Sequence, residues 1–352
     1  MRFDIRYRTR FTYDPPVSES HNELRACPVT DEHQRLVTYR VGVAPAARPL
    51  SFTDYWGTRV DAFGVRLPHR ALEVVAEATV ETTERPLVES HAVLGDVSDV
   101  DFVARHHEYL QATRHTEWDD HLLKLAAATA RDTGPDVISV AFGIHDLVRA
   151  SLEYSKGTTE VGTPVVEVFR LGAGVCQDYA HLAVALCRAI GMPARYVSGY
   201  LFSADDATAE RTDKPVVHVQ THAWIEVAVP DVGWFPLDPT NGRKVGELHV
   251  KVGHVAAHWQ KYCKTRSWRH AWGQPGLSAP GNYLTLRQTP RGPLRCMPKF
   301  SKQVRRDLRT SLTPLLGPGA SHSAACISAR VAPTAAPSSM ALECTECTAA
   351  RH

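Results

Sequence analysis

Polar and apolar residues alternate along FDIRYRTRFTY, which sets Phe3, Ile5 and Tyr7 on one face and predicts a strand. RLVTYRVGV (35–43) and ALEVVAEATVET (71–82) are rich in β-branched residues and predict two more. Asp14-Pro15-Pro16 and Phe63-Gly64 read as turns between strands. Residues 1–90 therefore read as a small antiparallel β domain, a sandwich.

The period changes after about residue 100. HLLKLAAATAR (121–131) has helical spacing, with Asp119 or Asp120 placed to cap it. Val137–Leu152 predicts a second helix, and Lys156-Gly157 breaks the pattern. Cys176–Ile190 is apolar on nearly every side, the mark of a buried helix, and Gly191 and Pro193 stop it. ARYVSGYLF (194–202), VVHVQTHAWIEVAV (216–229) and GWFPLDPT (233–240) then read as strands. A buried helix followed by an antiparallel sheet predicts an α+β core over residues 91–250.

Beyond about residue 252 the periodicity fades and the composition changes. Residues 251–310 hold thirteen Lys and Arg against one acid, Asp307, a net of +12. Residues 311–352 are balanced and the whole chain carries +2, so residues 1–250 carry −10. Five of the eight cysteines also lie after residue 250. Ser311–His352 is rich in Ala, Ser, Thr and Pro. Residues 251–352 are thus expected to be a basic, low-complexity, disordered tail. The basic stretch could attract nucleic acid, but no nucleic-acid-binding motif accompanies it and that reading is disfavoured. Cys344 and Cys347 have zinc-like spacing without the second pair a zinc site needs.

A hydrophobic content of 43% with 22% charged residues fits a globular protein, and no run of 18 apolar residues suggests a membrane span. The N-terminus lacks the apolar core of a secretion signal, so the reducing cytoplasm is the expected compartment.

Three residues carry the candidate chemistry. Cys176 falls in the first turn of the buried helix, where free N–H groups and the helix dipole favour thiolate and could hold an oxyanion. Gly172 and Gly174 just before it allow close approach of backbone to substrate. Cys187, roughly 16 Å further along the same helix, reads as packing. His222 lies on the polar face of its strand with His218, Gln220, Trp224 and Glu226. His218 and His222 are roughly 13 Å apart along a strand, too far to share a metal. Asp238 ends the next strand before Pro239 and could fix the imidazole tautomer. Singly, these three read as a core cysteine, a solvent-facing histidine and an Asp-Pro turn. Together, in the order Cys, His, Asp on helix start, strand and strand end, they follow the logic of a cysteine nucleophile with base and orienter.

The motifs go further. Gly174-Val175-Cys176-Gln177-Asp178-Tyr179-Ala180-His181, Gly191-Met192-Pro193-Ala194-Arg195, His222-Ala223-Trp224-Ile225-Glu226 and Trp234-Phe235-Pro236-Leu237-Asp238-Pro239-Thr240-Asn241-Gly242 resemble the bacterial transglutaminase-like family. Asn22-Glu23-Leu24-Arg25 and Pro68-His69 are similar to the domain that precedes this core in bacterial members. The resemblance covers roughly residues 1–250. It implies a papain-like or transglutaminase-like core with Cys176 as nucleophile, His222 as base and Asp238 as orienter. Gly174, Gln177 and Trp224 are expected to contact substrate, and Asp178 to support the helix N-terminus. The implied substrate is a peptide or protein, with no cofactor and no metal. Hydrolysis of peptide or carboxamide bonds is the favoured outcome. Acyl transfer to an amine, or a catalytically silent scaffold, are the alternatives. The resemblance, charge and cysteine breaks coincide near residue 252, which reads as a shifted reading frame or a replaced C-terminus.

Overall fold

A computed structural model describes residues 1–202, 216–219, 221–255, 263–268 and 281–288, with 216–219, 263–268 and 281–288 described as backbone. Residues 203–215 and 289–352 lie outside the described residues, and with them the Ser- and Ala-rich tail and Cys344 and Cys347.

The N-terminal strands are β1 (Arg2–Val17), β2 (Glu19–Leu24), β3 (Gln34–Ala44), β4 (Leu50–Thr53), β5 (Arg59–Val65) and β6 (His69–Thr82). Period-two burial holds along β1 and β6: Phe3, Ile5 and Tyr7 are inside, as are Leu72, Val74 and Ala76. The two strands pair antiparallel, with Phe3 opposite Val80 and Phe11 opposite Leu72. Their inner face meets Leu24, Phe63 and Val65 from the second sheet, which completes the sandwich. Two expected turns differ. Phe63-Gly64 lies inside β5, and Asp14-Pro15-Pro16 is a break in the β1–β6 register between Thr12 and Val17. In both places the ladder hydrogen bonds on either side outweigh the local turn preference.

The helical layer contains α1 (Val100–His106), α2 (Asp120–Thr133), α3 (Val137–Ser151), α4 (Val165–Leu171) and α5 (Cys176–Ala189). Two-residue strands β7 (Glu153–Tyr154) and β8 (Ala173–Gly174) pair parallel just before α5. Of the two candidate caps, Asp119 takes the role and accepts the Leu122 N–H at 2.9 Å. Every residue from Asp178 to Arg188 is buried, so α5 forms the spine of this half. Each fully buried Leu or Val there contributes about 2 kcal/mol of apolar transfer energy. The chain leaves α5 through Gly191 at φ +81°, a left-handed position that favours glycine.

The remaining strands are β9 (Ala194–Leu201), β10 (Val216–Val219), β11 (Thr221–Val229), β12 (Gly233–Asp238), β13 (Arg243–Lys244), β14 (His249–Val255), β15 (Cys263–Trp268) and β16 (Gly281–Gln288). One sheet, in the order β13-β12-β11-β9-β14, packs on α5 through Ala223, Ile225 and Val227. The protein is thus a mixed α+β structure with a β-sandwich before its helix-on-sheet core.

Three features depart from the sequence expectations. The stretch 216–229 is two strands: β10 joins the N-terminal sheet through β16, and β11 joins the helix-backed sheet. The boundary at residue 250 and the compositional break near 252 both fall inside β14. The stretch expected to be irregular contains β15, which pairs with β2, and β16, which pairs with β1. Backbone pairing needs no apolar period, so short strands such as CKTRSW (263–268) are poorly marked in sequence.

Candidate active site

Cys176 is the first helical residue of α5 and is half-buried. Asp178 builds the turn that delivers it. Its Oδ2 accepts the Val175 N–H at 2.8 Å and the Thr159 hydroxyl at 2.6 Å. Burial pushes the Asp178 carboxyl up, outweighing the pull of those two hydrogen bonds. Gly174 is buried, and a Cβ there would overlap the Asp178 carboxylate. Its missing side chain therefore serves the turn.

β11 pairs with β9 and β12, which places His222 opposite Gly199 and sets it two residues from Trp224 on the same face. His222 is 8% exposed, and Cys176 is near enough to act on its ring. Its Nε2 lies 2.9 Å from Asp238 Oδ2, so Nδ1 is the ring nitrogen left for the thiol. Burial alone would push the imidazole down. The hydrogen bond to Asp238, the nearby Cys176 side chain and the charges of both overcome this and raise it to about 10.

Asp238 is fully buried, and its two carboxylate oxygens divide the work. Oδ1 accepts the backbone N–H groups of Thr240 (3.1 Å) and Asn241 (3.3 Å), which forms the Asp-Pro turn. Oδ2 faces His222, the Asn241 side-chain amide at 2.9 Å and His249 Nε2 at 3.2 Å. The residue that makes the turn is therefore also the partner of the His222 ring. Burial alone would raise its carboxyl. Hydrogen bonds from His222 and His249 reverse this and hold it far below the usual carboxylate range. His145 Nε2 lies 3.0 Å from the Asp238 carbonyl and fixes the main chain beneath the site.

Cys176, His222 and Asp238 are thus brought together as the sequence leads one to expect. Gln177 is half-buried beside Cys176. Trp224 departs from its expected role. It is 1% exposed, stacks on His222 at 6.1 Å and meets His249 edge-on at 5.4 Å, so it shapes the histidines instead of facing substrate. Gly199 in the neighbouring strand β9 makes room for the indole, since a Cβ there would overlap both the ring and the Val250 carbonyl.

Asn241, His145 and His249 had no assigned role in the sequence. Asn241 and His249 stand near Asp238, but nothing in strand periodicity tells that β14 brings His249 back to the same oxygen.

Ligating atoms of His222, Asp238 and His249 lie within 4.8 Å of one another, close enough to hold a metal ion. The hydrogen bonds point elsewhere. His249 Nδ1 accepts the Gly246 N–H at 3.3 Å, so the neutral ring carries its proton on Nε2 and has no lone pair there for a metal.

Comparison with known proteins agrees with this architecture. The model of the transglutaminase-like superfamily matches residues 124–239, which contain Cys176, His222 and Asp238. The model of the bacterial transglutaminase-like N-terminal region matches residues 3–81. The Mycobacterium leprae protein ML0607 is 33% identical over 252 residues, covering 72% of this chain and 88% of its own. A protein-glutamine gamma-glutamyltransferase from Pseudomonas aeruginosa is 34% identical over 73 residues, 21% of this chain and 11% of that protein. A crystal structure of a candidate cysteine protease from Cytophaga hutchinsonii shares the fold, with a TM-score of 0.61 at 23% identity over 83% of this chain and 93% of that one. The chain belongs to the transglutaminase-like superfamily and carries its bacterial N-terminal region.

Proposed function

We propose that the protein is a cysteine enzyme that attacks peptide or carboxamide bonds and releases the acyl group to water. The observation that carries this reading is the convergence of Cys176, at the start of a buried helix, with a His222 ring that is itself hydrogen-bonded to Asp238. His222 accepts the thiol proton, and the Cys176 sulfur bonds to the substrate carbonyl carbon. The carbonyl oxygen takes up the negative charge and is met by the Cys176 backbone N–H at the helix N-terminus. When the tetrahedral intermediate collapses, the C–N bond breaks and His222 passes its proton to the leaving amine. A thioester remains on Cys176. Water, giving a proton to His222, attacks it and releases the acid and the free thiol. Asp238 stabilises the imidazolium throughout. Gln177, the residue after Cys176, is assigned to substrate contact.

The second reading is transfer of the same acyl group to an amine. The match to a glutamyltransferase over 73 residues favours it. A peptide or protein is the proposed substrate. We place the enzyme in the cytoplasm, a setting in which a free thiol persists; Cys27, Cys176 and Cys187 are all unpaired. Among the described residues no helix is long and apolar enough to cross a membrane.

Incubation with a peptide library, with and without an added primary amine, tests both outcomes. Shortened or deamidated peptides in either condition support hydrolysis, and amine-adducted peptides support transfer. Turnover that survives in Cys176→Ala would defeat both.

A further inference from the structure

We propose that His249 is a positioning residue of this site, a neutral hydrogen-bond donor that holds the Asp238 carboxylate in line with His222. The proposal rests on the nucleophile reading of Cys176 and lies outside the residues that the superfamily model matches, which end at 239.

The tautomer is set by backbone. A neutral imidazole has one donor and one acceptor nitrogen. Gly246 N–H points at Nδ1 (3.3 Å), so Nε2 is the donor, and it lies 3.2 Å from Asp238 Oδ2. The His249 amide in turn donates to the Gly246 carbonyl at 3.0 Å, so ring and main chain are tied to the same turn. His249 is 7% exposed, and Trp224 closes one side of it.

Its charge state matters as much as its geometry. Burial pushes the His249 imidazole down and outweighs the pull of Asp238, while His222 and Arg85 add repulsion. These groups, with Asp238 from β12, are the charges that act on the ring. A second imidazolium on Oδ2 would compete with His222 for the same carboxylate. A neutral donor steadies the oxygen without that competition. Asn241 adds a third donor from the turn at 2.9 Å. Oδ2 thereby has few directions open, and His222 Nε2 occupies one of them. A turned Asp238 would release His222 Nε2 and let the imidazole swing from the thiol.

The test uses the full chain and follows iodoacetamide alkylation of Cys176 by peptide mass spectrometry from pH 5 to 9, with a thermal melt for each variant. His249→Leu removes the donor and is expected to slow labelling at pH 6 by about tenfold and to move the acid limb up by roughly one pH unit. His249→Gln presents an amide N–H at the Nε2 distance and is expected to stay within about threefold of wild type. Should His249→Leu not fold, His249→Asn serves, since its amide is too short to reach Oδ2 and should slow labelling as the leucine does. Wild-type rates and limb in His249→Leu or His249→Asn would overturn the proposal. So would equal slowing in the glutamine variant with no shift of the limb, the mark of lost packing alone. A wild-type profile no faster than that of the urea-unfolded chain would instead defeat the nucleophile reading, and the positioning role with it.

Discussion

Two buried carboxylates share the polar face of the sheet that backs α5, and they have opposite characters. Asp238 is met by the imidazoles of His222 and His249, rings with both a donor and an acceptor nitrogen when neutral. Glu226 is met by Arg195 at 2.6 Å and Lys251 at 2.7 Å. Both solve one problem: a carboxylate out of water needs donors for its oxygens. Burial would raise Glu226, but Lys251 and Arg195 bring it down to about 2. Arg195 also lies 3.7 Å from the centre of the Trp234 ring. Lys251 is anchored to the start of β3, where Gln34 accepts its N–H at 2.7 Å and donates to its carbonyl at 2.8 Å. Glu226 therefore ties the sandwich side to the sheet with strong charges that stay put. Asp238 uses imidazole partners in place of permanent charges. The difference separates structure from chemistry on a single face.

That contrast can be broken first at Asp238. Asp238→Asn should slow Cys176 alkylation at pH 7 by about a hundredfold or more, because an amide nitrogen beside His222 favours the wrong tautomer. The melt should fall only moderately, since the remaining amide oxygen can keep the turn. Glu226→Ala is the counterpart. It leaves Arg195 and Lys251 buried without their carboxylate and should cost about 3–5 kcal/mol in urea unfolding. Alkylation of the folded fraction should keep the wild-type pH profile. Equal loss of labelling in both variants would show that the two carboxylates are not distinct in role.

Stability against pH sharpens the contrast. His254, half-buried near Arg195 and Lys251, is pushed down to about 3, first by its partial burial and then by those charges. His249 is lowered as well. Unfolded histidines take up protons below about pH 6.5 while these two do not, so stability should fall with decreasing pH by up to roughly 1.4 kcal/mol per unit for each. Asp238, depressed in the folded state, adds a loss at lower pH still. His222 is raised, so its contribution is complete below about pH 6.5 and fades as pH rises through about 10. Urea unfolding should show an optimum between these limbs. A flat profile from pH 4 to 7 would contradict neutral rings at His249 and His254 in the folded state.

The smallest effect belongs to Cys187. It is fully buried on α5, and burial pushes its thiol up to about 12. Cys187→Ala should cost about 1–2 kcal/mol as a small cavity and leave Cys176 labelling unchanged.

Much of this was legible from residue order. Alternation marks β1 and β6 because one face is buried and the other wet. The apolar girth of Cys176–Ala189 marks a helix enclosed on all sides. Cys176, His222 and Asp238 stand out through their residue types at helix start, strand and strand end. Other features were hidden for physical reasons. β15 and β16 are held by backbone pairing, which leaves little trace in composition. The switch from β10 to β11 is a change of sheet within one continuous β-rich stretch. Trp224 shares a face with His222, but only Gly199 on the neighbouring strand tells that its ring is buried. His249 depends on the return path of β14, a long-range fact.

The central claim is that folding activates one sulfur. Cys176 alkylation by iodoacetamide at pH 6, measured in the native protein and in the urea-unfolded chain, tests it directly. The native thiol, though half-buried, should react faster than the unfolded one, and His222→Ala should remove the advantage. Faster reaction after unfolding would mean that the fold merely shelters Cys176, and the account would fail.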